Sequence, residues 1–230
     1  MINFNYIQSL KEKSDTSDEK IKQILDGVAL MIRDLDALAT EVLKASKTAI
    51  NNTLHGREVT AQKDLKEAKK KLLFLQKKVE MYKQSLGKDV AASQIKINNL
   101  QNSKFDSADT LLAAAKEECL EAHLLYTYLS SGRKVDIPKE PVFQDLESYI
   151  GALCDMCGEL LRKARLEVIE KTGSQENIEH YYRDTKNIYD TLSTFAFSNK
   201  SGLRGKIEQL KGYIAVFEGI LYDISEKTVT

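Results

Sequence analysis

Four carboxylates stand in two pairs at helical spacing: Glu118 with Glu121, and Asp155 with Glu159. On helices, residues three or four apart share a face. If the two faces met, they would supply an oxygen-only donor set, which suits Mg²⁺ or Mn²⁺. A cation held that way could bind a phosphodiester and lower the pKa of a water for in-line attack. Acidic pairs one turn apart are also common on ordinary solvent faces, so spacing alone does not separate the two readings.

The surroundings sharpen the choice. Asp155 and Glu159 lie in the run Tyr149–Arg162, the middle of a helix expected over 144–171. On a wheel at about 100° per residue, Leu146, Ile150, Leu153, Cys157, Leu160, Ala164 and Val168 form its apolar stripe. Asp155 and Glu159 fall on the opposite side with Ala152, Arg162 and Leu166, where periodicity predicts a solvent face. Gly151, Ala152 and Gly158 argue otherwise, because small residues inside a helix usually permit close approach. The second helix, expected over 106–129, has a stripe of Leu111, Ala115, Ala122, Leu125 and Leu129. Glu118 falls inside that stripe, Glu121 at its edge and Glu117 further out. A carboxylate in an apolar face needs a partner, a proton or a metal.

Other chemistries find less support. Cys154 and Cys157 form a CxxC, and Cys119 and His123 lie on the other acidic helix. A CxxC in mid-helix lacks the helix N-terminus that lowers a thiol pKa. Core cysteines are expected instead. The histidines, His55, His123 and His180, are scattered, and no Ser/His/Asp grouping or glycine-rich phosphate loop is present.

The elements that must position these residues read as helices. The chain has 230 residues with only Pro 2 and Gly 11, and no segment alternates like a strand. Apolar positions spaced by three and four predict a long helix from Thr16 to Leu54, ended by His55-Gly56. A second runs from Arg57 to Leu86 and ends at Gly87; its other faces carry Lys63, Lys66, Lys69, Lys70, Lys71, Lys77, Lys78 and Lys83. These lysines read first as a solvated face and second as a surface that tracks phosphates, with Lys70 and Lys77 as candidates. A shorter helix is expected over 88–103. Asp106 or Ser107 caps the helix to Leu129, Ser130-Ser131-Gly132 stops it, and 132–143 is a loop with both prolines. After the 144–171 helix ends at Gly173, Ser174 caps another that extends through Phe195, and a last one covers 203–225. Residues 1–16 read as a short helix or loose arm. Short turns between long helices imply antiparallel neighbours. The whole chain reads as one all-α domain of about seven helices, with apolar seams left over for other subunits.

Acids and bases balance at 34 each and the pI is about 6.8. The chain therefore lacks a global pull toward nucleic acid, and a polyanion would need a local basic face or a metal. No stretch reaches the roughly 18 apolar residues of a membrane span. The start, MINFNYIQSLKEKSD, lacks a signal peptide's apolar run. Three cysteines argue against a disulfide framework and for a reducing, cytoplasmic compartment.

At the two acidic segments the chain resembles the translin family, in its translin-associated factor X (TRAX)-like branch. That branch's E-Y-x-E-A motif stands as Glu118-Cys119-Leu120-Glu121-Ala122, with Cys in the aromatic place. The family's Y-L-x-G-x-x-D-x-x-G-E-L-x-R stands as Tyr149-Ile150-Gly151, then Asp155, then Gly158-Glu159-Leu160 and Arg162. The run from Leu203-Arg204-Gly205-Lys206 to Leu221-Tyr222-Asp223-Ile224 looks like the family's last helix. The resemblance implies helical subunits assembling into closed, roughly octameric shells, alone or beside a translin-like subunit. It implies a Mg²⁺-dependent endoribonuclease acting on single-stranded RNA, with Glu118, Glu121 and Asp155 matching the family's acids and Glu159 beside them. The alternative is a non-catalytic oligomer that binds single-stranded RNA or DNA, as plain translins do. Their basic segment, rich in Arg and His, has no counterpart in Asn102–Leu112. Arg162 joins Lys70 and Lys77 as a candidate nucleic-acid contact.

Overall fold

The computed structural model describes residues 17–93, 98–133, 135, 138–197 and 202–228. Among the described residues the protein is all-helical, with six α-helices, one 3-10 turn and no strand. The helices are α1 (Ser17–Leu54), α2 (Glu58–Ser93), α3 (Asn98–Ser130), α4 (Leu146–Glu170), α5 (Gln175–Leu192) and α6 (Leu203–Thr228), and the 3-10 turn is Pro141–Phe143. The element expected over residues 1–16 lies outside the described residues.

Local chemistry explains most of the boundaries. After α1 the chain turns through Gly56 at φ +67°, a left-handed conformation that favours glycine. Arg57 N–H closes that turn on the Asn52 carbonyl at 2.9 Å. Asp145 caps α4 by accepting from the backbone N–H groups of Glu147 and Ser148, and Ser174 caps α5 by accepting from Asn177 N–H at 3.2 Å.

Three boundaries differ from the sequence reading. Gly87 does not end α2, which continues to Ser93; one mid-helix glycine costs only about 0.5–1 kcal/mol relative to Ala. Asp106 and Ser107 lie inside α3, so they cap nothing, and the separate helix expected over 88–103 is divided between α2 and α3. Phe195 lies beyond the end of α5.

Two compact units can be distinguished. The first comprises residues 1–45 and 66–119. Its buried residues include Val28, Leu35 and Val42 of α1, Leu72, Leu75, Val79 and Tyr82 of α2, and Ala108 and Ala115 of α3. Lys71 reaches Glu41 at 3.0 Å, and Lys83 reaches Asp109 at 2.6 Å. Both pairs are largely solvated, so each contributes little.

The second unit comprises residues 46–65 and 120–230. Here Ile150, Cys154 and Cys157 of α4, Leu192 at the end of α5, and Leu203, Ile207 and Leu210 of α6 form one apolar cluster. Side-chain pairs set the helix directions. Tyr181 donates to Glu167 at 3.2 Å while Ile150 shares the cluster with Leu192, so α4 and α5 are antiparallel. Tyr182 donates to Glu218 at 3.0 Å and Lys211 lies 5.7 Å over the Tyr189 ring, so α5 and α6 are antiparallel too. It follows that α4 and α6 run the same way, with Asp155 beside Lys206 and Gly158 beside Tyr213.

The end of α4 has a cause other than the one expected. Lys171, at φ 55°, takes the left-handed cap position, not Gly173. Gly173 is needed for space: a Cβ there would lie 2.4 Å from the Glu167 Cβ and 2.5 Å from its Oε2. Glu167 is buried and held by Tyr181 and by Lys163 at 3.5 Å. Gly173→Ala therefore forces the α4–α5 turn apart. It is expected to destabilise the protein by about 1–3 kcal/mol in urea denaturation, and an unchanged midpoint would refute this packing role.

Candidate functional site

The acidic helices are more enclosed than a wheel predicts. In α3, Cys119, Leu120, Glu121, Ala122, Leu124 and Leu125 are all buried, and His123 alone in that stretch is half-buried. Glu121 is the buried carboxylate, at 7% exposure, and Glu118 is half-buried. That reverses their expected order, because the stripe was drawn through Leu111 and Leu129, which are themselves only half-buried. In α4, Leu146 is 70% exposed and Val168 is exposed, although both belong to the expected apolar stripe. Ala152, on the expected solvent side, is fully buried, and so is Met156 one turn on. Asp155 and Glu159 are half-buried, so theirs is not an ordinary solvent face.

Close approach at Gly158 explains part of this. A Cβ there would lie 3.1 Å from the Tyr213 hydroxyl oxygen of α6. Beside that contact, Lys206 in the first turn of α6 makes an ion pair with Asp155 and donates to its Oδ2. Arg162 donates to Glu159 at 3.4 Å from the solvent side. Burial pushes the Glu159 carboxyl above the usual range; Arg162 draws it back down, and the Asp155 charge pushes it further up. Tyr213 is raised by burial and then by Asp155, with Lys206 opposing. These electrostatic couplings set Asp155, Glu159, Lys206 and Tyr213 in one neighbourhood.

Glu121, Asp155 and Glu159 belong to the second unit, and Glu118 to the first. Among the described residues no three His, Cys, Asp or Glu side chains stand close enough to share a metal ion. The donors nevertheless fit a hard cation in kind. They are all carboxylates, and Asp155 and Glu159 repel one another enough to register on Glu159. Two protein cations, Lys206 and Arg162, already neutralise that pair. Lys206 is the residue the sequence reading missed: it lies far from Asp155 in the chain, and no spacing rule connects them.

The other candidates are placed simply. Lys70 and Lys77 are exposed on α2, with Phe74 exposed between them. Arg162 is exposed and paired with Glu159. All three cysteines are free and buried, and burial foremost pushes the Cys157 thiol far above its ordinary value. The CxxC is therefore core, not a redox site. His55 and His180 each bond the backbone carbonyl four residues earlier, Asn51 and Glu176. No helix among the described residues is long and apolar enough to cross a membrane.

The raised Glu159 carboxyl has a consequence for stability. Its neutral form is favoured in the folded chain, so its contribution is present below the ordinary carboxylate range and is lost as pH rises through the raised value. In EDTA, Glu159→Gln is expected to melt above the parent at neutral pH, with the gap closing near pH 4 or about there. A gap independent of pH would contradict the assignment.

The translin family model matches residues 16–226. Among solved structures, apo-NeC3PO is similar at TM-score 0.66 and 19% identity, covering 88% of this chain and 94% of that one. The structure of AfC3PO is similar at TM-score 0.67 and 20% identity, covering 94% and 100%. A complex of AfC3PO with duplex RNA gives TM-score 0.67 and 21% identity over the same shares. No curated protein sequence matches. The structural likeness shows a shared fold, and the family match runs over nearly the whole chain. The chain belongs to the translin family.

Proposed function

We propose that this protein binds single-stranded RNA and cleaves it in a reaction that depends on Mg²⁺ or Mn²⁺, as a TRAX-like member of its family. The observation that carries the reading is the burial of carboxylates on α3 and α4. Glu121 is buried and Asp155 and Glu159 are half-buried neighbours on α4, which places carboxylates out of bulk water, where they attract a cation more strongly than exposed ones do. The family resemblance adds Glu118, one turn before Glu121 on the same helix, to these acids. Such a cation, when bound, polarises a phosphodiester and acidifies a water. AfC3PO, whose fold this chain shares, has been solved with duplex RNA.

The chain's own residues supply the rest. Lys70, Phe74 and Lys77 form an exposed stripe on α2, pairing ammonium groups for phosphates with a ring for base stacking. Arg162 adds a guanidinium next to Glu159. Large apolar side chains exposed on the first unit, Leu30, Leu73 and Met81 among them, suit assembly into a closed, roughly octameric shell, alone or with a translin-like subunit. Three buried thiols without a disulfide suit a cytoplasmic setting. A second reading, a non-catalytic binding oligomer, is favoured by one observation: Asp155 and Glu159 already have protein cations as partners.

Incubation of labelled single-stranded RNA with Mg²⁺, Mn²⁺ or EDTA separates the two. The nuclease reading expects cleavage only with metal, and expects Glu121→Gln to slow it at least about 100-fold, the scale on which even supporting residues of metal sites act. Salt-sensitive binding with no metal-dependent product would establish the second reading instead. For the α2 stripe, replacing Lys70 and Lys77 with Ala should flatten the log–log salt dependence of binding by about 0.7 per lysine. An unchanged slope would place the RNA elsewhere.

A further inference from the structure

We infer that Lys206 is a built-in competitor for the metal site: its ammonium occupies Asp155, and a divalent cation takes that carboxylate only by displacing it. The inference rests on the metal reading above and adds a residue to it.

Three observations carry it. Asp155 and Lys206 are both half-buried, at 31% and 27% side-chain exposure, so their attraction is only partly screened. Asp155 Oδ2 accepts directly from the lysine ammonium, the same charge-assisted contact a cation would make. Lys206 stands in the first turn of α6, which carries no acid there. A lysine at the positive end of a helix is disfavoured by the helix dipole unless an anion compensates it, and Asp155 is that anion.

The two bound states exclude each other on simple charge grounds. With Lys206 on Asp155, the neighbourhood of Asp155 and Glu159 is neutralised by Lys206 and Arg162, and a dication would add uncompensated positive charge. With Lys206 withdrawn, Arg162 still answers Glu159 and one negative charge, that of the half-buried Asp155, is left for a cation to compensate. The ammonium so released sits at a positive helix end, where it needs a new anion. A phosphate of the bound strand is the natural recipient. Lys206 is thus a positioning residue: it keeps Asp155 compensated in the metal-free protein.

Mn²⁺ binding to the full-length chain, read from the free-ion signal in electron paramagnetic resonance, tests this without reference to activity. The comparison is of the parent, Lys206→Met, Lys206→Gln, Lys206→Arg and Asp155→Asn, each checked by circular dichroism. If the paired state fills about nine-tenths of the molecules, removing it tightens apparent binding roughly tenfold. That gain is expected in both neutral variants, with Lys206→Arg behaving like the parent and Asp155→Asn binding weakest. Two neutral variants are compared so that a folding failure in one leaves the other to decide. A parent that binds Mn²⁺ no more weakly than the neutral variants overturns the competition while leaving the metal reading intact. Absence of Mn²⁺ binding in every variant overturns both.

Discussion

A helix enclosed on nearly every side cannot carry carboxylates unless each receives a compensating charge. α4 is such a helix. Cys154, Met156, Cys157 and Leu160 bury one side of it and Ser148, Gly151 and Ala152 are buried on the other, where Asp155 and Glu159 lie. The surrounding structure follows from that demand. Gly158 lets α6 come close at Tyr213, and the same approach brings Lys206 to Asp155. Arg162 answers Glu159 from the solvent side. Further along, Lys163 and Tyr181 answer Glu167. Three acids on one helix are each matched by a donor from α4, α5 or α6.

The parallel course of α4 and α6 is the topological condition for this. Two helices joined by a single antiparallel crossover helix must run the same way. The fourth residue of α6 is thereby brought level with the middle of α4. Had α6 run opposite to α4, its first turn would have met a different end of α4. The ion pair is thus a property of the connectivity and of one lysine's reach, and neither is encoded near Asp155.

Much of the architecture was legible because it rests on local rules. Gly56 ends α1 since its φ favours glycine, and Ser174 caps α5 since its hydroxyl can accept a backbone N–H. What failed were rules applied without their context. Gly87 and Asp106 can break or cap a helix, but neither does where the flanking residues keep to helical geometry. The wheels misjudged α3 and α4 because an amphipathic reading assumes one wet face, and both helices are covered on more than one side. Glu121 and Ala152 show the cost of that assumption, and Leu146 shows its converse. The acids themselves were visible through their spacing and the family motif. Their counter-ions were not, because tertiary pairs leave no periodic trace.

The buried thiols have a use unrelated to catalysis. Cys119 lies in the first unit and Cys154 and Cys157 in the second, and all three are shielded in the folded state. An alkylating reagent can reach them only when the surrounding core opens. The rate of modification at Cys119 therefore clocks opening of one unit, and that at Cys154 and Cys157 clocks the other. The native chain carries, without any engineered label, separate reporters of local unfolding for its two halves.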